Sequence, residues 1–158
     1  MSTKLSHVSS DGNPMMVDVG DKAVTTRRAV AVARLRFSEE VLKILEEKNW
    51  EAAKGAVLPT AIIAGVQAVK QTSTLIPFCH PLPIEAIDIV PEVDKDGLSI
   101  RCTVRVTHKT GVEMEALTGA SVAALTVIDM CKALSPAIEI TSVKLVSKTG
   151  GEKDFSAS

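Results

Sequence analysis

The segment from Lys109 to Ala133, KTGVEMEALTGASVAALTVIDMCKA, reads as one long helix that is apolar nearly all round. Ala116, Leu117, Ala120, Ala124, Val127 and Cys131 lie on one side, while Val122 and Leu125 share the opposite side with Thr118 and Thr126. Such a helix is expected to be buried on both sides, by its own domain or by another subunit. The rest of the chain must therefore supply elements to cover it. Asp129 and Lys132 sit near its end, three residues apart and about 60° apart around the axis. An unpaired buried charge is too costly, so these two side chains must be paired, hydrogen-bonded or functional. A structural ion pair at a helix end and a working acid–base pair both satisfy that demand.

The 158 residues suit one domain, and 18 Lys and Arg balance 19 Asp and Glu. A nucleic-acid binder carries a basic excess and stacking aromatics, but this chain has three Phe, one Trp and no Tyr. Nucleic acid is thus an unexpected partner. Cys79, Cys102 and Cys131 are odd in number and scattered, as in a reducing compartment. The polar start MSTKLSHVSSDGNP lacks the apolar core of a signal peptide, and AVLPTAIIAGVQAV is too short to span a bilayer. A cytoplasmic protein without a membrane association is expected.

Residues 1–14, rich in Ser, Gly, Asn and Asp, predict a flexible arm; 15–148 form the single catalytic domain, and 149–158 a flexible Gly-rich tail. A short strand is expected over Met15–Val19 and a longer one over Val24–Phe37. Ser38 is placed to cap a helix to about Lys48 with a Val41, Leu42, Leu45 stripe. A second helix begins after Lys54-Gly55, tolerates Pro59 in its first turn and ends near Thr72. Strands over Ile84–Val93 and Leu98–Thr107 are joined at Asp94–Gly97, and Thr110-x-x-Glu113 has the pattern of a capping box for the long helix. A last strand spans Ile138–Ser147. This order predicts an α+β, ferredoxin-like domain with helices on one face of a mostly antiparallel sheet and additional elements.

Three features carry chemistry. Pro77, Pro81 and Pro83 restrict a loop that presents Cys79 and His80 with little conformational freedom. One Cys-His dipeptide is not a metal site, and a tight turn whose His is merely hydrogen-bonded remains the alternative. Arg27, Lys54, Lys70 and Lys109 all stand where elements begin or end. Lys109-Thr110-Gly111-x-Glu113 is echoed in Lys148-Thr149-Gly150-x-Glu152, each after an apolar strand. If those strands are neighbours, both lysines and both Gly-loosened backbones face one edge, as a phosphate cradle requires. Chance repetition competes with that reading. Cys102 and Cys131 lie on apolar faces, as core residues do.

LIPFCHPLP (Leu75–Pro83) and KTGVEMEALTGASVAALTVIDMCKA, with MVDVGDKAVTTRRA (Met16–Ala29) and AAKGAVLPTAIIAGVQAVKQT (Ala52–Thr72), resemble the cyclic pyranopterin monophosphate synthase (MoaC) family over nearly the whole chain. The resemblance implies a lyase of molybdenum cofactor biosynthesis. Its substrate is (8S)-3′,8-cyclo-7,8-dihydroguanosine 5′-triphosphate, a cyclised GTP derivative made by a radical GTP cyclase. Its products are cyclic pyranopterin monophosphate and pyrophosphate. It also implies a homohexamer of three dimers with the active site at a dimer interface. Residue by residue, Asp129 and Lys132 match the family's catalytic pair. Phe78, Cys79, His80, Met114 and Glu115 match its substrate-contacting positions, and Arg27, Lys54 and Lys70 its basic pocket residues. Lys109 joins the substrate-binding set as a further cation. Phe78 stands where the family has Leu, and Ala56 where an acid is common. No metal ligands and no required cofactor are legible, which leaves Mg²⁺ only as a companion of the triphosphate.

Overall fold

A computed structural model describes residues 12–157. The long apolar helix is α4, Glu113–Cys131, and the rest of the domain is arranged to cover one side of it. Beneath it, β1 (Thr25–Arg36) turns Ala29, Ala31, Ala33 and Leu35 inward, paired with Val104, Cys102, Ile100 and Leu98 of β5 (Gly97–His108). The alternation buries one face of each strand, as period two requires. Because β1 offers mostly methyl groups, α4 meets the sheet through Ala116, Ala120, Ala123 and Ala124. Small residues on both surfaces permit close approach.

Between these elements the chain runs through α1 (Glu39–Glu47), the paired two-residue strands β2 (Glu51–Ala52) and β3 (Gly55–Ala56), then α2 (Val57–Lys70) and the single turn α3 (Thr72–Leu75). Ser38 accepts a hydrogen bond from the Val41 N–H and caps α1, and Val41, Leu42 and Leu45 are its buried stripe. β4 (Ala86–Asp94) forms a hairpin with β5, tightened so that Asp94 pairs with Gly97 across a two-residue turn. β6 (Glu139–Thr149) returns beside β1. The sheet order is β4-β5-β1-β6-β7, all antiparallel, where β7 is Phe155–Ser156. This is an α+β, ferredoxin-like fold.

α2 lies against α4 and runs antiparallel to it, since Gly65 approaches Gly119 and Ala123 while Val69 approaches Gly119. The start of α2 is therefore near the end of α4, and Lys70 is near its start. α4 is the one described helix long and apolar enough to cross a membrane, and here it is the core helix of the domain. Its far side is not covered by the described residues: Leu125 is 56% exposed, and Ile63 on α2 is 64% exposed.

Three local expectations change. Met15–Val19 is not a strand; its Val17 carbonyl is engaged by His80 rather than by a sheet neighbour. Thr110 does not cap α4. Val112 is the N-cap residue and Glu113 the first helical residue, because the Glu113 carboxylate is held by Lys148 at 2.9 Å. The 149–158 segment, read as a loose tail, contains β7, whose Phe155 and Ser156 pair with Lys148 and Ser147. Of the predicted N-terminal arm, residues 1–11 lie outside the described residues and 12–14 are exposed.

Candidate active site

At the C-terminal end of α4, Asp129 holds two ammonium groups. Its Oδ1 lies 2.7 Å from Lys132 Nζ and its Oδ2 2.6 Å from Lys54 Nζ; Lys54 also donates to the Asp129 carbonyl at 3.2 Å. The position differs from that expected for a buried face. Asp129, Lys54 and Lys132 are 53%, 51% and 60% exposed, because Asp129 lies on the face of α4 that also exposes Leu125, while Val127, Met130 and Cys131 of the same turn are buried. The hydrogen bonds from Lys132 and then Lys54 hold the Asp129 carboxyl down at about 2. A hollow of about 400 Å³ adjoins the cluster, lined by Lys48, Glu51, Met130 and Leu134 among others.

At the other end of α4, the proline-framed loop closes a pocket of about 350 Å³. Phe78, Cys79 and His80 form one wall and Met114 and Glu115 another, with Val17, Val19 and Leu82 completing the apolar part. The Val17 carbonyl can only accept, so its 2.9 Å contact with His80 Nε2 places the hydrogen on that nitrogen and leaves Nδ1 for a second partner. Burial, and then the charge of Glu115, raises the Cys79 thiol. A protonated thiol is a poor nucleophile and a poor metal ligand.

Glu115 is 4% exposed. Burial pushes its carboxyl up to about 7, with a smaller push from Glu113 and an opposing pull from its own backbone N–H. The ordinary value is 4.5, so between about 4.5 and about 7 the folded chain keeps a proton that the unfolded chain has lost. Its contribution to stability is full below that window and is lost as the pH rises through it. Glu115→Gln removes the slope: thermal unfolding should show a higher melting temperature than the parent near pH 8 and no difference near pH 4.

Beside this pocket lies a basic hollow of about 430 Å³. β5 and β6 both flank β1, so the two Lys-Thr-Gly turns that follow them reach the same edge of the sheet. Lys22, Arg27, Arg28, Lys109, Lys148 and Lys153 line it against Glu113 and Glu152. Glu152 engages Lys22 at 3.0 Å, Lys109 donates to the Gly20 carbonyl, and Arg27 Nη2 donates to the Lys109 carbonyl at 3.3 Å. Arg27 Nε is buried without a hydrogen-bond partner. Lys22, Thr110, Gly111 and Glu113 line both hollows, so the two adjoin.

The family model described as the MoaC family matches residues 16–151. The chain belongs to the MoaC family. It is 55% identical to the cyclic pyranopterin monophosphate synthase of Xanthomonas axonopodis pv. citri, over 99% of this chain and 95% of that protein. The Nostoc sp. protein of the same name is 49% identical over 96% of this chain and 90% of its own length. Molybdenum cofactor biosynthesis protein 1 of Dictyostelium discoideum is 44% identical over 96% of this chain and 27% of that longer protein.

In this MoaC chain the predicted site residues fall into separate groups. Asp129, Lys132 and Lys54 meet at one end of α4; Phe78, Cys79, His80, Met114 and Glu115 meet at the other; Arg27 and Lys109 stand in the adjoining basic hollow. Lys70 joins none of them directly. It lines a hollow of about 380 Å³ with Ile84, Glu85 and Ile87, which shares Leu82 with the His80 pocket. Lys148 was marked only through the repeated turn, which turns out to be a true neighbourhood. Lys22 and Arg28 lie within MVDVGDKAVTTRRA with no role marked for either, Lys153 lies outside every motif, and the strand order brings all three to the hollow. Cys102 and Cys131 are fully buried core residues.

Proposed function

We propose that this chain performs the cyclic pyranopterin monophosphate synthase step of molybdenum cofactor biosynthesis, a phosphorus–oxygen lyase reaction. The substrate is the cyclised GTP derivative (8S)-3′,8-cyclo-7,8-dihydroguanosine 5′-triphosphate, supplied by the pathway's radical GTP cyclase. The observation that carries this reading is the adjacency of the His80–Glu115 pocket and the basic hollow, which share Lys22, Thr110, Gly111 and Glu113. One part offers apolar walls, an imidazole and carboxyl groups to a base-derived ring. The other offers six cationic side chains to a triphosphate. The unpartnered Arg27 Nε supports the second assignment, as it is a donor suited to a phosphate oxygen.

Ring opening breaks a C–N bond, so it needs a water whose oxygen bonds to the carbon and a proton delivered to the leaving nitrogen. Asp129, held at about 2, is too weak a base to move protons near neutrality. Lys132 is then the proton donor, with Asp129 orienting it and Lys54 sharing the carboxylate. Cyclisation follows when a substrate hydroxyl attacks the α-phosphorus: a new P–O bond forms, the bond to the β-phosphate oxygen breaks, and pyrophosphate leaves. The cations of the hollow neutralise the charge that develops there. His80 contacts the substrate through Nδ1. Among the described residues no three His, Cys, Asp or Glu side chains are grouped to hold a metal, so any Mg²⁺ would arrive with the triphosphate oxygens.

The site is shared between subunits. Asp129 follows Glu115 by fourteen residues, about 21 Å along α4, so one chain does not bring its own acid–base cluster to its own pocket. A second copy running antiparallel would do so, and the exposed Ile63 and Leu125 offer the apolar contact. The full assembly is a homohexamer of three such dimers working in the cytoplasm, with neither nucleic acid nor membrane as a partner.

The deciding experiment gives purified protein the cyclised GTP derivative and, separately, GTP. Pyrophosphate appears from the first and not from the second. Lys148→Ala raises KM for the derivative about tenfold, the effect of losing one charge-assisted contact. Triphosphate binding with no pyrophosphate release would replace the enzyme by a nucleotide-binding regulator.

A further inference from the structure

Asn49 and Trp50 are the two described residues other than glycine with positive φ, at 49° and 59°. They are consecutive, and they stand at the base of the hairpin that carries Lys54. Asparagine visits the left-handed region more readily than most residues, whereas a bulky aromatic there is an outlier that the surroundings must enforce. The enforcement is visible. The Trp50 side chain is buried and meets Phe37 edge to face, with centroids 5.8 Å apart and planes at 88°. Its N–H donates to the Leu45 carbonyl at 2.7 Å, and its carbonyl accepts from the Val57 N–H at 2.9 Å. Trp50 thereby ties the end of α1 to the start of α2, and the chain between them is the hairpin.

That hairpin has only two residue pairs, Glu51 with Ala56 and Ala52 with Gly55. A ladder so short does not hold its own place in water. Lys54, at its tip, has a long and half-exposed side chain, yet it reaches both the carboxylate and the carbonyl of Asp129. What localises it is the anchored base of the hairpin. We infer that the left-handed Asn49–Trp50 pair is the positioning element that sets Lys54 against Asp129. The role in turnover rests on the catalytic reading of the Asp129 cluster given above.

Asn49 permits a test that spares the core, because its side chain is exposed. Glycine adopts positive φ freely, while valine, branched at Cβ, does not. The full-length enzyme is assayed for pyrophosphate release as Asn49→Gly, Asn49→Val, Lys54→Ala and the Asn49→Val/Lys54→Ala pair, with circular dichroism and oligomeric state checked for each. Asn49→Gly keeps kcat within about twofold of the parent, and Asn49→Val lowers it about tenfold with KM little changed. Lys54→Ala lowers kcat about a hundredfold, and adding Asn49→Val to it costs less than about twofold more, since both act on one contact. Parental turnover in Asn49→Val overturns the inference and leaves the cluster's reading standing. A full tenfold loss that persists on top of Lys54→Ala overturns it as well, because the backbone pair would then act elsewhere. Parental turnover in Lys54→Ala is a different failure: it removes the cluster's catalytic reading, and the inference falls with it.

Discussion

Lys132→Ala and Asp129→Ala each retain the fold and the oligomer but lose pyrophosphate release by at least about a thousandfold, the scale on which a positioned proton donor acts. Neither substitution threatens stability. Both side chains are more than half exposed, on the uncovered side of the C-terminal end of α4, and exposed ion pairs contribute little to folding. The two losses have different causes. Without Lys132 the donor is gone. Without Asp129 two ammonium groups lose the carboxylate that now holds both within hydrogen-bonding distance, and they repel each other. Asp129→Asn therefore separates the causes, since it keeps the shape and removes the charge. Pyrophosphate released from the cyclised GTP derivative is the measurement, with unfolding curves run beside it. Near-parental rates in Lys132→Ala would remove this lysine from the chemistry.

Gly119→Val gives a large loss of stability. A Cβ at Gly119 would lie 2.6 Å from Val69 Cγ2 and 2.7 Å from Cys102 Sγ, so the position is closed by α2 on one side and by β5 on the other. Neither neighbour has room to withdraw, because Val69 and Cys102 are themselves buried. Relief requires α2 to move away from α4, which overpacking of this kind makes costly by about 3 kcal/mol. For a domain of this size the melting temperature falls by about 6–12 °C. Activity falls too, since α2 runs antiparallel to α4 and its two ends place Lys54 and Lys70. Calorimetry reads the first effect. An unchanged melting temperature would mean that the two helices are not packed at this glycine.

Much of this was legible in the chain. Alternation in Leu98–Thr107 gave β5, the Ser38 cap gave α1, and an apolar helix flanked by strands gave a sheet with helices on one face. The repeated Lys-Thr-Gly turn located the basic hollow, because it follows two strands that turn out to flank a third. Other features depended on distant partners. Glu113 has the right spacing for a capping box, but Lys148, far along the chain, takes its carboxylate. Met15–Val19 has strand-like composition, yet it pairs with no strand, and its Val17 carbonyl meets His80. The exposure of Asp129 was hidden because helical periodicity places a residue around the axis and says nothing of which apolar face its own domain leaves uncovered, here the face of Leu125. Lys153 carried no local signal, and Arg28, though inside MVDVGDKAVTTRRA, was not singled out there; strand order brings both to the hollow.

Trp50 has one more consequence. The chain contains one tryptophan and no tyrosine, so its near-ultraviolet emission arises almost wholly from a single indole. That indole sits buried on Phe37, at the foot of the Lys54 hairpin. The protein thus carries an intrinsic optical probe at the hinge of its proposed acid–base cluster, and its colour and quenching report on that hinge without a label.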